Sequence, residues 1–452
     1  MTAAFSATSV LRAVAAAITV CVALGGMAVA ILSAFPSGNN LVSDPIDFLA
    51  FDCAASVSLH ANPYLAEPLR SCEAAALAES HIKIVPNLVV PAPLPPYALA
   101  LFAPLALLPF RIASALWAAS IILWVSVAVV LVRKLSGAPL IAVAVVLLAA
   151  DAGASILVGQ IVPLVLCALC GAALALQSDR PRTAAWLSLA TLLEPHVGVA
   201  VVASLFAYEP RARRSLLSGA ALLAALCVLA GGPVRSIEYL RDALPGQALN
   251  EGLEFGGQYS LSAVLAVLGA GSGTALALGS ASYVVMLVAG LWLAGRTEAA
   301  TQDRAFILLV PAALVLIGGA YVHIAQMAFA LPLLFALVTK RRRPILALAA
   351  LCLLAVPWQT IAELPGHGGG WQHSRVVAAE HAMARVSSGS LSASTAWGVW
   401  IRSGAIDSRT TAERFAWKLP TWFGLVLMFG EVLVVARPSR ALRPAGYKAA
   451  PA

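Results

Sequence analysis

The chain has 452 residues, of which 61% are hydrophobic and only 11% charged, roughly half the charged share of a soluble domain. That balance excludes a water-soluble fold. The net charge of +8 comes from short basic clusters set between apolar runs, the pattern of cytoplasmic loops rather than of a nucleic-acid-binding face.

Apolar runs long enough to cross a hydrocarbon layer of about 30 Å recur from end to end. The first, 10–34, follows Arg12 and lacks a small-residue cleavage site, which predicts an anchor helix rather than a removed signal peptide. Basic clusters at Arg133/Lys134, Arg180/Arg182, Arg211/Arg213/Arg214, Lys340 to Arg343 and Arg437/Arg440/Arg443 are all required to be cytoplasmic. The first helix then runs outward, and 36–96 is an outer loop carrying Asp44, Asp47, Asp52, Glu67, Glu73 and Glu79.

The stretch 97–132 crosses once but is broken by Pro104 and Pro109, so a short half-helix followed by a full inward span is expected. Spans 138–157 and 161–177 form a hairpin with its tip at Gly159-Gln160 on the outer side. Residues 183–208 lie between two basic clusters and must enter and leave on one side, bending near Glu194-Pro195-His196. Such broken helices are tolerated where they are buried in protein or line a cavity. An outward span, 214–231, is followed by a loop of about 27 residues returning at Gly257-Gln258-Tyr259-Ser260. Residues 259–270 lie along the outer face, then 275–295 runs inward, 303–321 outward and 324–339 inward, which places His323 at an outer turn. A further outward span, 344–360, leads to a polar outer segment, 361–418, and a last helix, 419–436, returns the basic tail to the inside. The pattern is all-α and polytopic, with about ten full crossings, one re-entrant hairpin and both termini cytoplasmic. No internal repeat is visible, which disfavours duplicated transporter architectures.

Of seven cysteines, Cys21, Cys167, Cys170, Cys227 and Cys352 fall in apolar helices as small hydrophobes. Cys53 and Cys72 share the first outer loop, where a disulfide and two free thiols are both open. The unusual polar motifs all fall on the outer side: Asp47, Asp52, Gln160, Gln258, His323 and the His-containing segment 361–418. Ionisable groups near membrane depth are costly and tend to face cavities and to carry function.

The first outer loop reads Asp44-Pro45-Ile46-Asp47-Phe48, then an Ala-rich stretch ending in Asn62-Pro63-Tyr64, then Pro95-Pro96 opening an apolar segment. With Gly159-Gln160, the turn before Pro195, Gly257-Gln258-Tyr259-Ser260-Leu261 and His323 in the same order, this resembles glycosyltransferase family 87, a branch of the GT-C membrane glycosyltransferases, over about residues 5 to 340. Three positions depart from the family pattern. Glu194 stands where Lys is common, Gly257 replaces the usual Asn, and the segment before Pro95 lacks the usual Tyr.

The resemblance implies a GT-C-like bundle of about 10–12 transmembrane helices. On that reading 1–340 is the catalytic core including outer loop 36–96, 341–436 carries C-terminal helices with outer loop 361–418, and 437–452 is a cytoplasmic tail. It also implies an inverting transfer of a sugar, mannose by family expectation, from a polyprenyl-phosphate donor to a glycolipid or glycan acceptor outside the plasma membrane. Asp47 matches the family's Asp-Phe position and is the expected general base, worth about 10²- to 10⁴-fold; its plainer role is an N-cap of a helix starting near Phe48. Asp52 points about 140° away on the same helix and reads as a solvated or structural carboxylate.

His323, with Gln258, Gln160 and Tyr259, is expected to bind phosphate or sugar, and Glu194 and His196 either bind phosphate or pair with each other. Tyr64, Arg235, His367 and Trp371 are further candidates, with Arg235 and Arg241 also readable as surface charges and Trp371, Trp397 and Trp400 as interface residues. The histidines 367, 373 and 381 lack metal-ligand spacing, so neither a metal nor another cofactor is assigned, although some GT-C relatives use a divalent ion. Two other classes compete: a transporter or flippase of a lipid-linked substrate, which calls for a path through the bilayer, and an assembly protein, which gives no reason for polar motifs on one face.

Overall fold

The computed structural model describes residues 45–80, 89–150, 158–253, 256–341, 344–358, 361, 391–402 and 411–437, with isolated positions 17, 20, 21 and 24 in the first apolar segment. The anchor helix, most of the Gly- and His-rich outer segment and the basic tail lie outside the described residues.

An outer subdomain opens the described chain. Helix α1 (Ile46–Ser58) starts directly after Pro45, whose fixed φ suits a helix start. Helix α2 (Ala66–Ser80) packs against it, and a Cys53–Cys72 disulfide with Cα atoms 5.6 Å apart joins the two. The expected half-helix is α3 (Pro96–Phe102), followed after Pro109 by the full span α4 (Phe110–Ser136), which ends on Gly137 in the left-handed region with Arg133 and Lys134 in its last turn. Phe48 is fully buried among Phe102, Phe110 and Trp117, its ring 5.7 Å from that of Trp117. This aromatic core seats α1 on the outer end of α4.

The membrane bundle follows: α5 (Leu140–Ala149), α6 (Val162–Gln177), α7 (Pro181–Ala190) and α8 (Pro195–Tyr208). The turn at Gly159-Gln160 and the break at Glu194 both occur where the sequence predicts them. Each new helix carries proline in its first turn, and residue 194, ahead of Pro195, is pushed out of helical geometry. Next comes α9 (Arg213–Glu238), and here the expectation of a loop after residue 231 is corrected. Gly232, at φ +72°, and Pro233 kink the helix without ending it, and it continues through a π-turn at Tyr239–Ala243 into α10 (Leu244–Asn250). Proline kinks, but does not stop, a helix whose freed backbone groups find partners; here the Ser236 hydroxyl donates to the Gly232 carbonyl at 2.9 Å.

A short α11 (Leu261–Val267) lies before the long span α12 (Ser272–Thr301). Then come α13 (Phe306–Leu314), a 3-10 stretch Ile324–Ala330 leading into α14 (Leu331–Lys340), α15 (Ile345–Leu354), α16 (Ala393–Arg402) and α17 (Thr411–Val435). The last helix starts at Thr411, eight positions before the expected 419, so Lys418 belongs to it rather than to a polar loop. Four helical stretches are long and apolar enough to cross a membrane alone. Most of the others are interrupted, and the interruptions gather in one place. Helices α13 and α14 are buried almost throughout, with α4, α6, α8, α12, α15 and α17 around them. The apolar side chains of α4, α9 and α12 that remain exposed, such as Ile122, Leu229 and Val285, form the lipid-facing surface.

Candidate active site

Asp47 occupies the first turn of α1, yet its side chain caps nothing. Instead Gln160 Nε2 donates to Asp47 Oδ2 at 2.5 Å, and the Asp47 amide donates to the Val158 carbonyl at 3.0 Å. The expected N-cap role is thereby corrected. The aim of Gln160 is set by Gly159, at φ +80°, where a Cβ would stand 2.8 Å from Phe48 Cβ. Trp117 Nε1 holds the same turn by donating to the Gly159 carbonyl at 2.8 Å. Glycine is required here both by the left-handed backbone and by the close passage of α1. In these low-dielectric surroundings, desolvation raises the Asp47 carboxyl from 3.8 to about 7, opposed by the Gln160 hydrogen bond.

The second element is the helix break. Glu194 Oε2 accepts from Gln326 Nε2 at 2.9 Å, and Gln326 Oε1 accepts from the His323 amide at 2.8 Å. Glu194 is therefore tied to the His323 turn and not to His196, which corrects the expected Glu194–His196 pairing. His196 lies beside Gln326, its carbonyl accepts from the Tyr283 hydroxyl at 2.6 Å, and its Nε2 is buried with no partner among the described residues. The charges of Asp47 and Glu194 act on one another, and both act on Tyr321, whose hydroxyl donates to Glu251 Oε1 at 3.1 Å. The outer loop and the helix break thus share one polar region.

The third element is the Gly257–Ser260 turn, laid against residues 321–323. Tyr259 donates its amide to the Val322 carbonyl at 2.7 Å, and Gln258 Oε1 accepts from the Val322 amide at 3.0 Å. Ser260 then caps α11 by accepting from the Ala263 amide at 3.2 Å. Lys418, only 1% exposed, donates from Nζ to the Gln258 carbonyl at 2.6 Å and sits 4.5 Å over the Tyr259 ring. Its charge is felt at His323. Gln258 Nε2 and His323 Nδ1 are buried and make no hydrogen bond among the described residues, an expensive state unless a ligand or water completes it.

The structure therefore brings together Asp47, Gln160, Glu194, His196, Gln258, Tyr259 and His323, and adds Gln326, Tyr321, Glu251 and Lys418. Lys418 could have been found in the sequence as the lone cation in an otherwise apolar segment, a functional signal by default. Gln326, three residues after His323, could have been found as the partner that fixes the turn. Other candidates lie apart. Asp52 is buried rather than solvated, with Oδ1 unpartnered, and burial followed by the Glu79 charge raises it to about 6. Tyr64 donates to the Leu94 carbonyl at 2.9 Å, Arg235 donates to the Ser58 carbonyl, and Arg241 pairs with its exposed neighbour Asp242. Trp397, on α16, is half-buried against the outer core. His367 and Trp371 lie outside the described residues.

Helices interrupted around a partly desolvated carboxylate, two orphaned donor or acceptor groups and a buried lysine define a membrane-embedded protein with a reaction-type cavity at one end of its bundle. The model of glycosyltransferase family 87 matches residues 94–318, and over that span the chain belongs to the family; it is a membrane glycosyltransferase. No curated protein and no solved structure matches the chain. Gln160, Glu194, His196, Gln258 and Tyr259 lie inside the matched span, whereas Asp47, His323 and Lys418 reach the site from outside it.

Proposed function

We propose that the chain transfers a hexose, mannose in our reading, from a polyprenyl monophosphate to a hydroxyl of a glycolipid or glycan on the outer side of the plasma membrane, with inversion at the anomeric carbon. The acceptor oxygen attacks that carbon from the face opposite the phosphate. As the new C–O bond forms, the bond to the phosphate oxygen breaks, and polyprenyl phosphate leaves with the electron pair. Asp47 takes the hydroxyl proton and becomes a carboxylic acid. A carboxyl held near 7 suits this exchange, because it is basic enough to accept the proton and still ionised in a useful fraction at neutral pH.

Charge building on the leaving phosphate calls for fixed donors in a dry site. Gln258 Nε2 and His323 Nδ1 have spare capacity for it, and the buried Lys418 adds a positive field. His196 and Tyr259 complete this side in our reading, while Gln160 orients Asp47 and Glu194 holds the His323 turn through Gln326. The outer placement is supported by the Cys53–Cys72 bridge beside Asp47, since disulfides persist in oxidising compartments. It is supported equally by the basic residues at the opposite ends of α4, α6 and α14. Both termini are cytoplasmic on this reading.

The observation that carries the reading is the Asp47 carboxylate, raised by burial and steered by Gln160, within a chain of this family. The experiment is transfer by the purified protein in lipid nanodiscs, given radiolabelled polyprenyl-phosphate mannose or a nucleotide-linked mannose, with extracted envelope glycolipid as acceptor. Label should move from the lipid-linked donor alone, and the product should carry the anomeric configuration opposite to the donor. Transfer from the nucleotide sugar, or retention of configuration, overturns the proposal.

A further inference from the structure

At the end of α6 remote from Gln160, about 24 Å away by helix length, a cavity of 620 Å³ is lined by Arg180, Pro181, Arg182, Thr183, Pro210, Arg211 and Arg214. Glycosyl transfer as derived above uses none of them. Arg211 is committed: it pairs with Asp179 at 2.5 Å and with Glu209 at 2.8 Å, and both carboxylates are also held by Arg304. Arg213, beside the cavity, is turned away to the Phe206 carbonyl at 2.8 Å and over the Phe206 ring. Among the described residues no carboxylate pairs with Arg180, Arg182 or Arg214. Three guanidinium groups without counter-charge therefore share one concave surface.

Two helix starts share it as well. Helices α7 and α9 begin at its rim, and neither receives a side-chain cap, so the amides of both first turns add positive potential. The two helices leave the cavity side by side, because Gly219 of α9 lies close against Trp186 and Leu189 of α7. Trp186 follows Arg182 by four residues and Leu217 follows Arg214 by three, so each apolar side chain continues the face that its arginine begins. Trp186 is 47% exposed and Leu217 62%. A cationic mouth therefore leads directly onto an exposed apolar wall between two membrane helices.

We propose that this cavity binds the headgroup of an anionic phospholipid of the leaflet opposite the active site, with the phosphodiester between Arg180, Arg182 and Arg214 and an acyl chain along Trp186 and Leu217. A free phosphate matches the arginines but leaves the apolar wall unused. A zwitterionic lipid matches the wall but brings no net charge to three unpaired cations.

The test uses the full chain reconstituted in phosphatidylcholine vesicles, with a minor fraction of brominated phosphatidylglycerol or of brominated phosphatidylcholine as quencher. The Trp186 signal is the difference between the wild-type protein and Trp186→Phe. Brominated phosphatidylglycerol should quench that signal more strongly than the same fraction of brominated phosphatidylcholine. Arg182→Gln and Arg214→Gln, made singly so that the remaining basic residues still set the topology, should each weaken this preference by up to about fivefold. Both variants should keep wild-type sugar transfer, which shows them folded. Equal quenching by the two lipids, or a preference that survives both substitutions, overturns the proposal. So does loss of the preference on adding inorganic phosphate, which assigns the cavity to a soluble anion.

Discussion

Gln160 makes a single contact of consequence, the 2.5 Å hydrogen bond to Asp47, and that contact has two separable effects. It favours the ionised carboxylate, opposing the larger effect of burial, and it fixes where the carboxylate points. Gln160→Ala is therefore expected to lower kcat by about 10-fold or more through loss of alignment. It should also move the acidic limb of the pH–rate profile upward, because the remaining burial pushes the carboxyl higher. In the wild type, a base ionising near 7 must be deprotonated to work, so activity falls as pH drops below that value and levels off above it. A profile flat from pH 5 to pH 9 contradicts the assignment. The pairing itself was not legible in the sequence. Asp47 and Gln160 each stand out there as polar residues at an outer turn, but nothing in their spacing, 113 positions apart, says that the Gly159 turn lies against Phe48.

Among the elements, α17 shows most plainly what sequence reasoning reached and what it missed. Its apolar face announces a membrane helix, yet the polar residues of its first turns hide that the helix begins at Thr411 and carries Lys418 into the interior. Lys418→Met keeps the length of the side chain and removes the charge. We expect it to lower kcat/KM by about 10- to 100-fold, whereas Lys418→Arg, which retains the charge, should recover part of the loss. Equal damage from both substitutions assigns the lysine to packing alone. A similar limit applies to α9, where Gly232-Pro233 reads as a helix end in sequence but is a kink, because backbone partners beyond the proline come from the fold. The helix break at Glu194 was legible, since a proline after a polar residue between two basic clusters leaves few alternatives. Its partner was not, because Gln326 belongs to a distant turn. The disulfide joining α1 to α2 makes a further prediction: Cys53→Ser with Cys72→Ser should destabilise the outer subdomain by about 3 kcal/mol, the entropy of a loop of this size. The loss should appear as a lower melting temperature and weaker transfer, and an unchanged melting temperature argues against a formed bridge.

For the whole molecule, composition and the placement of basic residues were enough to predict an all-α membrane bundle with its polar motifs at one end, because lipid permits few alternatives. They were not enough to predict how helices too short to cross alone are joined into a bundle. The buried centre of α13 and α14, wrapped by neighbours, depends on packing that hydropathy does not encode. On our reading the two ends of the bundle have different tasks: the end at Asp47 meets a lipid-linked sugar, and the end at Arg182 meets anionic lipid. A cysteine placed at Ser58, on the last turn of α1, should react with a membrane-impermeant maleimide in intact cells, and one placed at Thr183 should react only after the membrane is opened. The reverse pattern inverts the topology and removes the outer active site.

The most direct measurement is single-turnover transfer by Asp47→Asn in nanodiscs, with donor binding followed in parallel. The asparagine keeps the size of the side chain and can still bond to Gln160, but it cannot take a proton. The account predicts transfer slowed by about 10²-fold or more with donor affinity nearly unchanged. Transfer within about twofold of the wild type, in a variant that still binds the donor, contradicts it.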